Sequence, residues 1–288
     1  MKYISFIHRD RPSYGALLGD RIVDLGAFFG GRAPDLKALI SNDRLEQGSN
    51  AAAIQPATLA LADVTLLPVI PNPGQIICVG LNYADHVQET GRVITEAPTL
   101  FLRVPQSQVA HGQEIILPPE STRLDYEGEI AVIIGKGGRR ISEDEAWNHI
   151  AGYACYNDGS VRDWQSATSQ FTAGKNFWRT GGFGPWMVPA NEIAPGQTMT
   201  LTTRLNGVEL QRATTDMMLH SIPRQIAYIS TFTPLEPGDV IVTGTPGGVG
   251  AKRTPPLFMK AGDVVEVEVD VIGTLRNPIA AESCAPIH

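Results

Sequence analysis

A buried β-strand that begins with two acidic residues is predicted by the stretch Arg123-Leu124-Asp125-Tyr126-Glu127-Gly128-Glu129-Ile130-Ala131-Val132-Ile133-Ile134-Gly135. The run 130–134 is apolar and rich in β-branched residues, and a glycine-rich turn closes it. Because side chains alternate along a strand, Glu127 and Glu129 project to one face with only Gly128 between them. A hard divalent cation would compensate their repulsion. On these residues alone, a solvated acidic strand edge is the commoner explanation.

The composition is that of an ordinary globular protein. The chain has 288 residues, enough for one large domain or a domain and a half, with 43% apolar and 18% charged residues. Its 29 glycines and 21 prolines, together with few long helical patterns, indicate many strands and turns. The net charge of −7 argues against a surface for nucleic acid or anionic membrane, and no apolar run approaches the length of a membrane span.

The cysteines and the N-terminus predict a cytoplasmic protein. Cys78, Cys155 and Cys284 lie far apart and lack metal-ligand spacing, so neither a disulfide framework nor a zinc site is expected. The first residues run directly into a strand pattern without the apolar region of a signal peptide. A reducing compartment is therefore the expected location.

The chain is expected to divide near residue 70. Residues 1–70 predict a small unit of short strands and one short helix, and the proline-rich segment 68–74 marks its end. Residues 71–280 would form the main domain and 281–288 a tail, with disorder expected after Pro278.

Two further segments offer groups for catalysis or metal binding. His86 and Glu89 lie three residues apart in a predicted helix, 82–90, where they could form a general base oriented by a carboxylate or a simple surface pair. Asp158 follows a predicted strand, 150–156, and could be a third oxygen ligand or an Asx-turn residue.

Two glycine-rich loops could bind an anion. Lys175 and Arg179 lie among glycines and aromatic residues in 172–185, a pattern that suits an anionic small molecule but also an ordinary surface loop. The loop 243–250 offers hydroxyl groups and free backbone N–H groups that suit a carboxylate or an oxyanion.

Across residues 75–277 the chain resembles the fumarylacetoacetate hydrolase family. Several motifs occur in the family's order, which makes the resemblance specific. They are Val79-Gly80-Leu81-Asn82-Tyr83-Ala84-Asp85-His86, Asp125-Tyr126-Glu127-Gly128-Glu129, Asn157-Asp158-Gly159-Ser160-Val161-Arg162-Asp163, Gly174-Lys175, Thr215-Asp216-Met217, and Glu236-Pro237-Gly238-Asp239 through Thr243-Gly244-Thr245-Pro246.

The resemblance implies a fold, a metal and a substrate class. The fold is mostly β (α+β), a twisted β-roll or sandwich with a small N-terminal α+β domain, usually as a homodimer. The metal is Mg²⁺ or Mn²⁺ held by Glu127, Glu129 and Asp158. The substrates are small 2-oxo acids or acylpyruvates.

The resemblance also implies residue roles. His86, backed by Glu89, would activate water, and Lys175 would stabilise negative charge. Residues expected at the substrate are Tyr83, Arg103, Arg162, Gln165 and Thr245.

The leading hypothesis is a hydrolase that cleaves a C–C bond in an acylpyruvate, such as a fumarylpyruvate- or maleylpyruvate-like intermediate of aromatic catabolism. The alternatives are an oxaloacetate-type 2-oxo acid decarboxylase, a hydroxymuconate-type isomerase and, least favoured, a non-catalytic metal-binding sensor.

Two positions and one segment depart from the usual family pattern. Gly128 replaces a bulkier apolar residue, and Arg103 replaces a frequent lysine. After Lys175, the segment Asn176-Phe177-Trp178-Arg179 replaces a serine-phenylalanine-aspartate sequence. Trp178 and Arg179 suggest a different substrate tail.

Overall fold

The computed structural model describes residues 1–283, so Cys284 lies outside the described part of the chain. Within residues 1–283 the chain forms 19 strands and seven α-helices and is mostly β, as the sequence predicted. The strands are β1 Lys2–His8, β2 Arg11–Leu18, β3 Arg21–Asp24, β4 Leu59–Ala60, β5 Thr65–Leu66, β6 Ile76–Gly80, β7 Thr99–Arg103, β8 Gln108–Val109, β9 Ile115–Leu117, β10 Leu124–Asp125, β11 Gly128–Ile134, β12 Ile150–Asn157, β13 Ser160–Val161, β14 Gly181–Pro189, β15 Thr200–Leu205, β16 Val208–Thr214, β17 Val240–Val242, β18 Val264–Val269 and β19 Gly273–Ala281.

The helices are short, and most lie at the edges of the sheets. The α-helices are α1 Leu25–Phe29, α2 Leu36–Ser41, α3 Leu45–Ile54, α4 Ala84–Thr90, α5 Arg162–Gln165, α6 Thr172–Lys175 and α7 Ile222–Phe232. Single 3₁₀ turns occupy Gly30–Arg32, Leu61–Asp63, Pro105–Ser107, Ala146–His149, Ala190–Glu192, Thr215–Met217 and Gly250–Lys252.

A large mixed sheet runs through the N-terminal unit and the main part of the chain. Its order is β4-β3-β2-β1-β14-β12-β11-β17-β6-β7, with β5 added to β1 and β8 added to β14. The N-terminal strands join through β1, where Tyr3 pairs with Met187 of β14. The domain boundary near residue 70 therefore stays a prediction, because hydrogen bonding continues across it.

Strand β11, the predicted buried strand, is covered on both faces. Ile130, Val132 and Ile134 belong to a core that includes residues of a second sheet, ordered β16-β15-β18-β19-β9. The alternate residues, Ala131 and Ile133, belong to a core shared with the N-terminal unit. Each fully buried Ile or Val contributes about 1.5–3 kcal/mol. The strand is thus fixed from both sides, and the acidic residues at its start take a defined direction.

The glycine-rich segment after Thr180 is a buried central strand, β14, and not the surface loop that the sequence allowed. Its glycines leave space for neighbouring groups. A Cβ at Gly181 would lie 2.8 Å from Arg103 Nη2, and one at Gly182 would lie 2.7 Å from Asn277 Oδ1. The strand lacks the usual alternation of apolar side chains because its neighbours fill the space where those side chains would lie.

Other differences are local. The disorder expected after Pro278 is wrong for the residues up to Ala281, which pair in parallel with β9. Helix α4 begins at Ala84, two residues later than predicted, and ends at Thr90 as predicted, followed by Gly91 with φ of +67° in the left-handed region.

A steric constraint explains why position 128 is a glycine, and this explanation can be tested. A Cβ there would lie 1.9 Å from Thr203 Oγ1 and 3.2 Å from Thr203 Cβ. Gly128→Ala should therefore destabilise the protein by about 1–3 kcal/mol, measured by urea denaturation. Thr203→Ala alone should cost little, because the Thr203 hydroxyl has no hydrogen-bond partner within residues 1–283.

The double variant supplies the control. Gly128→Ala combined with Thr203→Ala should recover most of the loss, because removing the hydroxyl relieves the contact. Strictly additive losses would show that Thr203 is not what excludes a side chain at position 128.

Candidate metal and substrate site

Three buried carboxylates converge where β11 and β12 meet. One oxygen from each of Glu127, Glu129 and Asp158 lies within 4.8 Å of the others. Glu127 directly precedes β11, and Glu129 is the second residue of that strand. Asp158 follows the end of β12, and its N–H donates to Glu127 O at 2.8 Å. Hard oxygen ligands in this number suit Mg²⁺ or Mn²⁺.

Cationic side chains neutralise two of the three carboxylates. Lys175 Nζ lies 2.6 Å from Glu127 Oε2 and 2.5 Å from Asp158 Oδ2. Arg162 Nη1 lies 2.6 Å from Glu127 Oε1, and Arg103 Nη1 pairs with Asp158 Oδ1. Burial would lower the pKa of Lys175, but Asp158 and Glu127 outweigh burial and raise it. Lys175 therefore remains a charged ammonium.

Glu129 is the carboxylate with no cationic side chain in contact within residues 1–283. Its Oε2 accepts the Gly244 N–H at 2.6 Å. Burial raises its pKa well above the usual range, and the charges of Asp158 and Glu127 raise it further. Burial would also raise the pKa of Glu127, but Arg162 and Lys175 outweigh it and hold that pKa well below the usual range. A divalent cation beside Glu129 would supply the missing positive charge, so the donor set fits the metal that the family implies.

Asp125, to which the sequence assigned no role, connects Arg162 to the backbone of the 250–252 turn. Its Oδ2 pairs with Arg162 Nε at 2.8 Å and accepts the Ala251 N–H at 2.9 Å. Its Oδ1 accepts the Gly250 N–H at 2.8 Å. Because these contacts occupy both oxygens, Asp125 positions Arg162 and the 250–252 turn.

A cavity of about 580 Å³ opens above the carboxylates. Of the predicted site residues, those that line it are His86, Glu127, Glu129, Arg162, Gln165, Lys175 and Thr245. Arg162 Nη1 donates to Gln165 Oε1 at 2.9 Å, while Arg162 Nη2 is buried and has no partner within residues 1–283. An unpaired buried guanidinium nitrogen costs free energy unless a ligand accepts from it.

His86 and Glu89 form the predicted pair on α4. His86 Nδ1 lies 2.7 Å from Glu89 Oε1, and Glu89 Oε2 accepts the Gly248 N–H at 2.9 Å. Burial would raise the pKa of Glu89, but the hydrogen bonds from His86 and Gly248 outweigh it and lower the pKa. The carboxylate is therefore charged and orients the imidazole, which lines the cavity.

Several predicted substrate residues lie elsewhere. Arg103 does not line the large cavity and pairs with Asp158 through Nη1. Its other nitrogens donate to Thr180 Oγ1 at 3.0 Å and Ser107 Oγ at 3.3 Å. Tyr83 is buried and lines a separate cavity of about 280 Å³. Trp178 and Arg179 stack on each other at 5.3 Å, and neither lines the large cavity. Their roles at the substrate stay predictions, and the geometry places all four away from the cavity.

Thr245 lines the cavity, but its hydroxyl is engaged in the protein. Thr245 Oγ1 donates to Gly128 O at 3.0 Å and accepts from Gln211 Nε2 at 2.8 Å. Gln211 Oε1 in turn accepts the Gly128 N–H at 3.0 Å. Gln211 was not predicted, because a glutamine in an amphipathic edge strand carries no distinctive sequence signal. It ties the 243–250 loop to the start of β11.

The fold carries a buried carboxylate cluster that could bind a divalent metal, with Lys175 in contact with two of its members. The chain belongs to the fumarylacetoacetate hydrolase family, since the family's fumarylacetoacetate (FAA) hydrolase C-terminal domain matches residues 75–280. It is 37% identical over 294 residues to the mitochondrial oxaloacetate tautomerase fahd2 of Xenopus laevis, covering 97% of this chain and 90% of the relative. It is 42% identical over 224 residues to the oxaloacetate tautomerase YisK of Bacillus subtilis, covering 76% and 74%.

Solved structures share the fold over 98% of this chain. A fumarylacetoacetate hydrolase from Exiguobacterium antarcticum has a TM-score of 0.86 and 32% identity, with all of its chain covered. A 5-carboxymethyl-2-hydroxymuconate delta-isomerase from Mycobacterium smegmatis has a TM-score of 0.76 and 30% identity, also fully covered. A maleylpyruvate hydrolase from Sphingobium sp. SYK-6, solved with manganese(II) and pyruvate, has a TM-score of 0.81 and 27% identity and is fully covered.

These comparisons confirm the family and the fold. The relatives support the oxaloacetate-type decarboxylase alternative better than the hydrolase that the sequence placed first, because their names give oxaloacetate as the substrate. The activity in those names is tautomerisation, which the sequence did not predict. Within residues 1–283, no helix is long and apolar enough to cross a membrane. The homodimer and the cytoplasmic location stay predictions.

Metal binding can be tested by thermal unfolding. Mn²⁺ at about 100 times its dissociation constant should stabilise the protein by about 2.7 kcal/mol and raise Tm by several degrees. Glu129→Gln should abolish the rise, because it removes the carboxylate that lacks a cationic partner yet keeps an acceptor for the Gly244 N–H.

Glu120→Gln is the matched control, because Glu120 is exposed and lies outside the carboxylate cluster. It should leave the Mn²⁺ response intact. An equal response in Glu129→Gln and the wild type would contradict the assignment.

Proposed function

We propose that this protein is a divalent-metal-dependent keto–enol tautomerase of oxaloacetate or a closely related 2-oxo dicarboxylic acid. The oxaloacetate tautomerases to which the chain is 37% and 42% identical support the reaction class. The site supports the substrate class through Arg162, whose buried Nη2 faces no acceptor within the described residues.

The carboxylate of the 2-oxo acid would accept from Arg162 Nη2. Asp125 and Glu127 hold the guanidinium in place through its other two nitrogens. Such a preorganised donor binds a carboxylate with little loss of side-chain entropy. A divalent cation held by Glu127, Glu129 and Asp158 would supply Lewis-acid stabilisation of negative charge on the substrate's 2-oxo group.

His86 would move the proton at C3. Its Nδ1 is hydrogen-bonded to Glu89, which leaves Nε2 as the ring nitrogen with no hydrogen bond within residues 1–283. In the keto-to-enol direction the C3–H bond breaks, the proton passes to Nε2, and the bonding electrons move towards the C2 oxygen. Lys175 would place its ammonium near that oxygen and donate the proton that completes the enol. Exchange with solvent then resets both groups, and the reverse direction uses the same atoms.

Loss of enol absorbance of freshly dissolved oxaloacetate tests the proposal. With Mn²⁺ present, the wild type should accelerate ketonisation well above the buffer rate. His86→Asn and Lys175→Met should each lower kcat by about 10²–10⁴-fold, because each removes a proton-transfer group.

Two controls accompany this measurement. Chelation of the metal should return the wild-type rate to that of buffer, and each variant should unfold cooperatively by circular dichroism. Acceleration that survives in both variants would contradict their roles, and the absence of any metal-dependent acceleration would contradict the function.

Hydrolysis of an acylpyruvate is the second candidate, and the cavity size favours it. A volume of about 580 Å³ falls in the range that holds drug-sized ligands and exceeds the need of a four-carbon acid. In this reaction His86 would activate water for attack on the distal acyl carbonyl. Pyruvate release from an acylpyruvate, followed with lactate dehydrogenase and NADH, tests it. Absence of release alongside rapid oxaloacetate tautomerisation would exclude this candidate.

A further inference from the structure

The cavity lining carries more cationic than acidic side chains. Two carboxylates, Glu127 and Glu129, contribute to its lining. The cationic lining residues are Arg92, Arg123, Arg162, Lys175 and Lys252. Arg162 and Lys175 are paired with the buried acids at the floor, so the surplus comes from the other three.

Arg123 and Lys252 are free to meet a ligand. Neither side chain makes an ion pair or a hydrogen bond within residues 1–283, although the Arg123 guanidinium lies 5.5 Å from the Phe258 ring. Arg92 is likewise unpaired and lies over Phe171 at 5.4 Å, in the segment after α4. Unpaired cations at the mouth of a cavity raise the local concentration of anions.

The backbone at Arg123 and Lys252 is fixed by one buried carboxylate. Asp125 lies two residues after Arg123, and its two oxygens accept the N–H groups of Gly250 and Ala251, which directly precede Lys252. Arg123 O also accepts the Arg162 N–H at 3.1 Å. Asp125 thus brings two distant segments together and places one cationic side chain on each.

The neighbouring residue Arg253 is also cationic, but its side chain does not line the cavity. Its Nε donates to Tyr126 Oη at 3.0 Å and to Gly248 O at 3.1 Å, so its guanidinium is committed to holding the loop. Of the adjacent cationic pair, Lys252 lines the cavity and Arg253 does not.

We propose that Arg123 and Lys252 form a subsite for the distal carboxylate of a 2-oxo dicarboxylic acid and select diacids over monoacids. The inference rests on the proposed function, which places the 2-oxo end at Arg162 and the carboxylate cluster. The metal and Arg162 recognise one end of the substrate, and the Arg123–Lys252 subsite recognises the other.

Calorimetric titration with Mn²⁺ present tests the subsite. The probes are 2-oxoglutarate and 2-oxopentanoate, which differ in that a methyl group replaces the distal carboxylate. The wild type should bind the diacid more tightly. Arg123→Gln combined with Lys252→Gln should weaken diacid binding by about tenfold or more, because charge-assisted hydrogen bonds are lost, and leave monoacid binding within about twofold.

Lys136→Gln is the matched control, because Lys136 is exposed, lies outside the cavity and also removes one positive charge. It should keep the wild-type preference, and the double variant should keep the wild-type rise in Tm with Mn²⁺. An unchanged preference in the double variant, or an equal loss in Lys136→Gln, would overturn the subsite.

The outcome is separable from that of the proposed function. Diacid preference that depends on Arg123 and Lys252 in a protein without tautomerase activity would support the subsite and reject the function. Tautomerase activity with no diacid preference in the wild type would support the function and reject the subsite. Failure to bind either acid, in a protein that also lacks tautomerase activity, would overturn both.

Discussion

The site depends on neutralising carboxylates that the fold buries. Asp125, Glu127, Glu129 and Asp158 are each no more than 4% exposed. Isolated buried charges are strongly unfavourable, and removing one partner of a buried pair costs about 3–5 kcal/mol. A chain of ion pairs, in which acidic and cationic side chains alternate, neutralises three of these carboxylates. Its members in order are Asp125, Arg162, Glu127, Lys175, Asp158 and Arg103.

Glu129 lies outside that chain and makes the site a candidate for metal rather than a closed ionic network. Four carboxylates share three cationic side chains, and Glu129 is left with the Gly244 N–H. A protein that needed only stability could replace Glu129 by an apolar residue of similar volume at little cost. A divalent cation would account for its presence beside Glu127 and Asp158.

The apolar part of β11 gives the acidic pair its direction. Ile130 and Val132 pack towards the second sheet, and Ala131 and Ile133 pack towards the N-terminal unit. A shift in register by one residue would exchange these two faces and turn the acidic side chains away from Asp158. The position of the candidate metal site thus follows from hydrophobic packing farther along the strand.

Sequence periodicity predicts contacts only between residues that are close together in the sequence. It predicted that Glu127 and Glu129 share a face, because they are two residues apart in a strand. It also predicted that His86 can contact Glu89, because they are three residues apart in a helix. It could not predict that Arg103 pairs with Asp158, because these residues are 55 positions apart and meet through sheet pairing. It also missed β14, because glycines that accommodate distant neighbours leave no apolar alternation to detect.

Under the proposed function, a division of roles between the floor and the rim of the cavity would explain how one fold can serve relatives with different named activities. Proton removal at C3 and cleavage of the bond to an acyl group both leave negative charge on the C2 oxygen. A carboxylate-held cation, Lys175 and Arg162 would stabilise that charge in either case. The bond that breaks would then be decided by what C3 carries and by whether water or C3–H lies at His86. In this chain the acids at the floor are already paired with cations, whereas Arg123 and Lys252 at the rim are not. Selectivity is therefore expected to reside at the rim, where sequence can change without disturbing the buried charges.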